Sequence, residues 1–368
     1  MKNIRFHFVS IIAVAGILLQ AAAVRAEKRL VYLSSGEGIA VFEADPATGK
    51  LTDIQKVEAP GLLALTEDRG RAYVMGKKQL WSFLVEGDGT LREAGVAEIE
   101  QGGGYVDLDA TERFLAASHY GAGTAAIWPI DESGVAQGTP ADEAALEQRA
   151  HSSVFSPDNR FLLVPATGPN KVFQLRFDEK TGTLEPNDPP SAPGPTGEGT
   201  AQQPRHLVFH PNGRMAYTTL ERELPGVGVW NWDAESGRLD AVQNVVTLPE
   251  GFEGSITTAD LHLTPDAKFL YVSNRDLTDR KATSGESSIV GFRVDPDTGR
   301  LDLIGHTPCE HIPRSFAIDE AGEYVYVAGQ MAEKLGVYRI DPSSGELERV
   351  QQLDTGPKPN WVVCGTLP

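Results

Sequence analysis

An all-β chain closed into a seven-bladed β-propeller is the fold this sequence predicts, on three observations. A hairpin pattern recurs along the chain, a strand-and-turn unit follows each copy, and the one strand missing from the first set lies at the opposite end of the sequence. The clearest hairpin runs from Pro204 to Glu221. Its apolar run Leu207-Val208-Phe209, its Pro211-Asn212-Gly213 turn and its β-prone run Met215 to Leu220 mark two antiparallel strands joined by a tight turn. Aligned copies are Leu62 to Lys77, Tyr105 to Tyr120, Ser152 to Thr167, His206 to Glu221, Asp260 to Arg275 and Ser315 to Gln330. The second unit is a strand, an acidic turn ending in Gly, and usually a Leu. It recurs at Phe42 to Leu51, Phe83 to Leu91, Trp128 to Val135, Phe173 to Leu184, Val229 to Leu239, Phe292 to Leu301 and Val337 to Leu347. Repeats of roughly 40 to 50 residues with about four strands each are the sequence mark of propeller blades. The segment Asn360-Trp361-Val362-Val363-Cys364 matches Arg314-Ser315-Phe316-Ala317-Ile318 and supplies the missing first strand, with Arg29 to Leu33 as its partner. A blade split between the two termini closes the ring and leaves no free sheet edge between blades.

From its start, the chain carries Lys2 and Arg5, an apolar run from Phe8 to Ala23 and a small-residue site at Val24-Arg25-Ala26. This is the layout of a secretory signal peptide over residues 1–26, with the propeller over 27–368. The run is short for a membrane anchor, which needs about 20 apolar residues. A periplasmic or secreted location is expected, with no membrane association after cleavage. The formal charge of −18 becomes more negative still once residues 1–26 are removed, because they hold Lys2, Arg5 and Arg25 but no acid. Such a surface repels phosphate backbones, so nucleic acid is not an expected partner. Two cysteines are too few for a disulfide framework. The repeat register sets Cys309 in a rim loop and Cys364 well down the next inner strand, about 13 Å lower at ~3.3 Å per residue, which disfavours a bond between them. Three departures from the repeat read as loops: 132–149, with a helix-like patch around Asp142 to Glu147; 187–204, rich in Pro and Gly; and 278–287. Long loops over a rigid scaffold are common places for binding.

The repeat locates a site. The start of the first strand of each hairpin and the end of its second lie at the same mouth of the propeller, so two columns of residues should ring it. One column reads Gly61, Gly104, His151, Arg205, Ala259, Arg314 and Asn360; the other reads Gly36, Lys77, Tyr120, Thr167, Glu221, Arg275 and Gln330. Polar side chains separated by glycines at one mouth describe a concave site with room for a ligand. Each residue also has a structural reading: Arg205 and Glu221 as an ion pair, His151 as a cap, Arg275 and Arg314 as solvated charges. His206, His210 and His262 are expected to be structural. The aspartates Asp45, Asp131, Asp178, Asp233, Asp295 and Asp341 are read as turn formers rather than metal ligands. No nucleophile elbow, zinc-binding spacing or dinucleotide loop is present.

The segments His151-Ser-Ser-Val-Phe-Ser-Pro-Asp158, Pro204-Arg-His-Leu-Val-Phe-His-Pro-Asn-Gly213, Ala259-Asp-Leu-His-Leu-Thr-Pro-Asp266 with Tyr271-Val-Ser-Asn-Arg275, and Pro313-Arg-Ser-Phe-Ala-Ile-Asp319 resemble the seven-bladed propeller lactonase family. That family includes propeller-type 6-phosphogluconolactonases and the fungal carboxymuconate lactonizing enzyme. The resemblance implies an active-site set of His151, Arg205, Glu221 and Arg275, which the two columns also single out. Arg314, Gln330, Asn360, Tyr120 and His119 are the expected substrate-binding residues. This chain departs from the usual pattern at Leu220 and His119, where family members often have Asn, and at Leu33-Ser34-Ser35-Gly36. The expected activity is cofactor-free and metal-independent hydrolysis of a sugar-type or carboxylated lactone by a monomer, outside the cytoplasm. Glu221 is expected to be ionised by its arginine neighbours and to act as base, leaving His151 as proton donor. Three alternatives stay open: a non-catalytic periplasmic propeller that binds a ligand such as a small organic acid or serves as a scaffold, a lactone-forming cycloisomerase, and a six-bladed metal-dependent hydrolase, which the seven repeats disfavour.

Overall fold

The computed structural model describes residues 27–195 and 202–367, so the expected signal peptide lies outside the described residues. Every regular element among them is a strand, and the strands form seven four-stranded antiparallel sheets. Six blades are contiguous in sequence and begin with the innermost strands Leu62–Leu65, Tyr105–Leu108, Val154–Phe155, Pro204–Phe209, Ile256–Leu263 and Pro313–Ile318. We number these blades one to six. The closing blade takes its innermost strand, Trp361–Leu367, from the end of the chain and pairs it with Lys28–Ser35, with Val31 opposite Cys364. The split blade expected from the sequence is thus present, in the expected register. Cys309 and Cys364 are not bonded to each other.

The core is divided among the blade interfaces. Seven hydrophobic clusters form, each spanning one pair of neighbours: Leu30, Val41 and Phe83 join the closing blade to blade one, while Tyr217, Val229, Leu270 and Phe292 join blades four and five. The acidic turns serve this packing. Asp341 Oδ1 accepts from the N–H groups of Ser343 and Ser344, which brings Gly345 to a φ of 79°. Gly345 lies so close to the ring of Phe269, in blade five, that a Cβ would sit 2.6 Å from it. Its carbonyl accepts from the Tyr271 hydroxyl at 2.8 Å. Equivalent tyrosine-to-turn bonds join Tyr32 to Gly89, Tyr73 to Gly134 and Tyr217 to Gly299.

Two loop expectations are corrected. The helix-like patch is a strand: Asp142–Ala145 pairs with Thr124–Ile127 as the outermost strand of blade two. Its composition favours helix, but an open ladder edge on Thr124–Pro129 provides partners that a lone helical turn would lack, and tertiary context overrides such local preference. The excursion expected from Asn187 begins later, because Thr183–Pro193 continues as the outermost strand of blade three through a bulge. The 278–287 segment is a loop between Phe269–Asp276 and Ser288–Val294, as expected.

Candidate functional site

The two columns meet at one mouth. Two cavities open there, of about 550 Å³ and about 410 Å³, and they share Gly104 and Arg314. Of the fourteen column positions, only Thr167 and Ala259 line neither cavity. The smaller cavity is bordered by Tyr120, His151, Glu221, Arg275, Arg314 and Gln330. The larger one is bordered by Arg205, His206, Arg314, Asn360 and Trp361, with Lys77 and Lys78 on its rim and no carboxylate in its wall. His119 is not brought there. Strand alternation turns it away from Tyr120, so that its Nδ1 bonds Thr124 Oγ1 at 2.8 Å and its ring packs on Trp128.

Inner-strand irregularities position the arginines. Blades four, five and six each carry one extra residue near the mouth, where Pro204 pairs with Leu220 but Leu207 with Thr218, Thr258 with Asn274 but Leu261 with Val272, and Pro313 with Gly329 but Ser315 with Ala328. A bulge re-aims side chains and is common beside functional sites. Arg205 is 1% exposed; its Nη1 donates to the Ala259 carbonyl at 2.6 Å, and its Nε lies 3.9 Å from Glu221 Oε1. Arg275 Nη2 donates to the same Glu221 oxygen at 2.8 Å and to the Thr258 carbonyl at 3.1 Å. Arg222 Nη2 approaches that oxygen to 3.9 Å. His151 precedes the short strand Val154–Phe155. Its N–H donates to the Pro165 carbonyl and its own carbonyl accepts from the Ser118 hydroxyl.

These contacts set the charge states. Burial alone would raise the Glu221 carboxyl, but the positive charges of Arg205 and Arg275 outweigh it and hold the group below the usual carboxylate range. Glu221 is therefore ionised at neutral pH. His151 is held well below the usual histidine range, by burial first and then by Arg205, His206, Arg314 and Arg275. Its imidazole is neutral at pH 7, so the donor role expected for it does not match the resting site. Arg275 is pushed down to about 10 by burial and still carries its proton. Among the described residues no group of three His, Cys, Asp or Glu side chains is arranged to hold a metal ion.

The aspartates of the outer turns satisfy backbone N–H groups, as in Asp45 and Asp295. His210 takes the Asn212 N–H in its turn. His206 departs from the structural role expected of it, since it borders the larger cavity and bonds Asp260. The signal for it was available: the column one residue further in reads Leu62, Tyr105, Ser152, His206, Asp260, Ser315 and Trp361, with His and Asp on neighbouring blades.

The family model described as "Lactonase, 7-bladed beta-propeller" matches residues 27–364. The chain belongs to that family. It is 33% identical to the 6-phosphogluconolactonase of Serratia proteamaculans, over 91% of this chain and 98% of the relative. It is 32% identical to that of Pectobacterium carotovorum, over 91% and 98%. Among solved structures, the periplasmic gluconolactonase of Pseudomonas aeruginosa superposes with a TM-score of 0.81 at 27% identity, covering 93% of this chain and 99% of that one. This propeller is accordingly a lactonase, an enzyme that hydrolyses lactones. Its mouth is the concave, charged surface on which the two residue columns converge.

Proposed function

We propose that this lactonase opens a sugar-type or carboxylated lactone outside the cytoplasm, at the mouth formed by His151, Arg205, Glu221, Arg275 and Arg314. The observation that carries this reading is the ionised Glu221 held between Arg205 and Arg275, in the wall of the smaller cavity that the neutral His151 imidazole also borders. Ring opening places negative charge on the carbonyl oxygen, and fixed guanidiniums aimed at such charge need no reorganisation as it develops. Glu221 keeps Arg205 and Arg275 in place through one oxygen, Oε1. At neutral pH Glu221 is ionised and His151 is a neutral imidazole, so neither holds an acidic proton to donate. The proton that reaches the departing ring oxygen is therefore the one withdrawn from water, carried across by a single acceptor. Lys77, Lys78, Arg205 and Arg314 around the larger cavity, with no acid in its wall, favour a substrate with an anionic substituent. The basic start of the chain and its apolar run, together with the likeness to a periplasmic gluconolactonase, support export.

The test is a lactone panel assayed with the mature protein. Carboxylated lactones should be opened with a higher kcat/KM than neutral δ-gluconolactone, and that advantage should shrink as salt is added. Glu221→Gln and His151→Gln should each lower kcat/KM by about 10²- to 10³-fold. Equal turnover of neutral and acidic lactones at all salt concentrations removes the acidic-substrate reading. Wild-type rates in both variants remove the assigned site.

A further inference from the structure

The lactonase reading leaves open which group takes the proton from water. His206 is the best constructed candidate. Its Nδ1 lies 2.8 Å from Asp260 Oδ1. An ionised carboxylate can only accept, so the ring proton sits on Nδ1 and leaves Nε2 as an acceptor. Asp260 is itself fixed: Oδ1 also accepts from the Leu261 N–H at 3.1 Å, and Oδ2 lies 3.3 Å from the Phe316 N–H and 3.4 Å from His262 Nε2. The bulges in blades four and five make the pairing possible. They turn the adjacent Arg205 and His206 both toward the larger cavity. Hydroxyls take the backbone groups at these positions: the His206 N–H donates to Thr219 Oγ1 at 3.0 Å and the Asp260 N–H to Ser273 Oγ at 2.9 Å.

Rings hold the imidazole from the other sides. Tyr105 and His151 each lie 5.1 Å from it between centroids, and Trp361 lies 6.4 Å away. The charged and titratable groups facing it are Arg205 on its own strand, Asp260 on blade five, Arg314 on blade six, His151 on blade three and Tyr105 on blade two. Burial, followed by Arg205, pushes His206 down to about 4. Burial opposes ionisation of Asp260, but His262 and His206 hold it well below the carboxylate range. The resting pair is thus a neutral imidazole and a carboxylate. The other two acceptors are less well suited: the Glu221 ion pairs all fall on Oε1, and no protein group bonds the buried Nδ1 of His151 to fix its tautomer.

We propose that His206 is the general base of lactone opening and that Asp260 is its positioning residue. His206 Nε2 takes a proton from water as the water oxygen bonds to the lactone carbonyl carbon, and the carbonyl electron pair moves onto oxygen, facing the guanidiniums. When that centre collapses, the bond from carbon to the ring oxygen breaks. The imidazolium returns its proton to the ring oxygen, giving the open hydroxy acid and restoring the base. Asp260 stays ionised throughout, as the carboxylate of a Ser-His-Asp triad does.

This assignment rests on the mouth being the lactone-opening site, and the experiment separates the two. With δ-gluconolactone as probe and thermal melts to confirm folding, His206→Gln should lower kcat by about 10²- to 10³-fold while KM moves only a few-fold. Asp260→Asn should lower kcat by at least about tenfold. Imidazole in the buffer should restore His206→Gly by about tenfold or more, in proportion to its free-base fraction. A His206→Gln enzyme that is folded and within about threefold of wild type overturns the proposal, as does a loss that imidazole leaves unrelieved, which assigns the pair a structural role. Nitrogen-15 NMR of the wild type gives a readout free of any variant: Nδ1 protonated and Nε2 bare is expected, and the reverse tautomer overturns it. A wild type that opens no lactone in the panel fails the broader reading instead.

Discussion

At the scale of single residues, the site is a problem of charge balance. Three guanidiniums, of Arg205, Arg275 and Arg314, share a buried mouth with two carboxylates, of Glu221 and Asp260. Arg205 and Arg275 keep Glu221 ionised, His262 and His206 do so for Asp260, and burial, helped by the arginines, keeps the two central imidazoles neutral. One consequence concerns rate. After correction for spontaneous hydrolysis, kcat/KM should fall on the acid side, as the acceptors take up protons, and should stay level from neutrality up to the range near pH 10 where Arg275 loses its proton. An alkaline limb that vanishes in His151→Gln would restore His151 as proton donor. A second consequence concerns stability. His151 and His206 have folded values below their unfolded one of about 6.5, so the unfolded chain binds more protons below that pH. Their contribution to stability is present above about 6.5 and is lost as pH falls, for His206 down to about 4, because stability rises with pH wherever the unfolded state is the more protonated. Denaturant midpoints from pH 7.5 to 4.5 should decline, and less steeply in His206→Gln; equal slopes would deny His206 this role.

At the scale of elements, each blade is fastened to the next by side chains that recur with the repeat. In the outermost strands Leu51–Val57, Arg238–Val246 and Leu347–Asp354, the glutamines Gln55, Gln243 and Gln351 bond both backbone groups of a leucine one blade on: Leu91, Leu301 and Leu51. Each glutamine follows a leucine at or next to the start of its own strand (Leu51, Leu239, Leu347) by four residues, a periodic signal that hydrophobic patterning does not reveal. Gln55→Ala leaves the Leu91 N–H and C=O without these partners and should cost about 1–3 kcal/mol, read as a lowered Tm with activity retained. Gly345→Val should cost as much or more. It forces a branched residue to positive φ and places Cβ 2.6 Å from the Phe269 ring, a strain of order 1–3 kcal/mol before any clash. A Gly345→Val melt within a degree of wild type would show that the turn relaxes freely.

At the scale of the whole molecule, function depends on ring closure. The innermost strand of the closing blade ties to both neighbours: Trp361 Nε1 donates to the Leu63 carbonyl of blade one, and the Val362 N–H approaches Ser315 Oγ of blade six at 3.3 Å. The same strand brings Trp361 to the larger cavity, with Asn360 just before it. Removing residues 359–368 should therefore do more than fray an end. It exposes the edges of Lys28–Ser35 and the inner faces of two blades, so the expected result is a large drop in Tm, a tendency to aggregate and loss of lactonase activity. A truncated chain that stays monomeric and active would mean that closure is dispensable.

Much of this was determined by the sequence because the repeat is local. A hairpin announces itself through its turn and its alternation, and seven aligned copies fix which residues face one mouth, so His151, Arg205, Glu221 and Arg275 could be singled out before any coordinates. The closing blade was legible for the same reason, since Trp361–Leu367 carries the pattern its partners lack. What the tertiary structure decided depends on neighbours distant in sequence. Asp142–Ala145 became a strand because a ladder edge was open beside it, against its own helical preference. His119 turned into its blade because strand alternation sends adjacent residues to opposite sides. His206 turned toward the cavity because a bulge suspends that alternation locally, and only then could it meet Asp260. The neutral state of His151 belongs to the same class: a protonation state follows from burial and from the sum of surrounding charges, and these exist only once the blades have brought three arginines together.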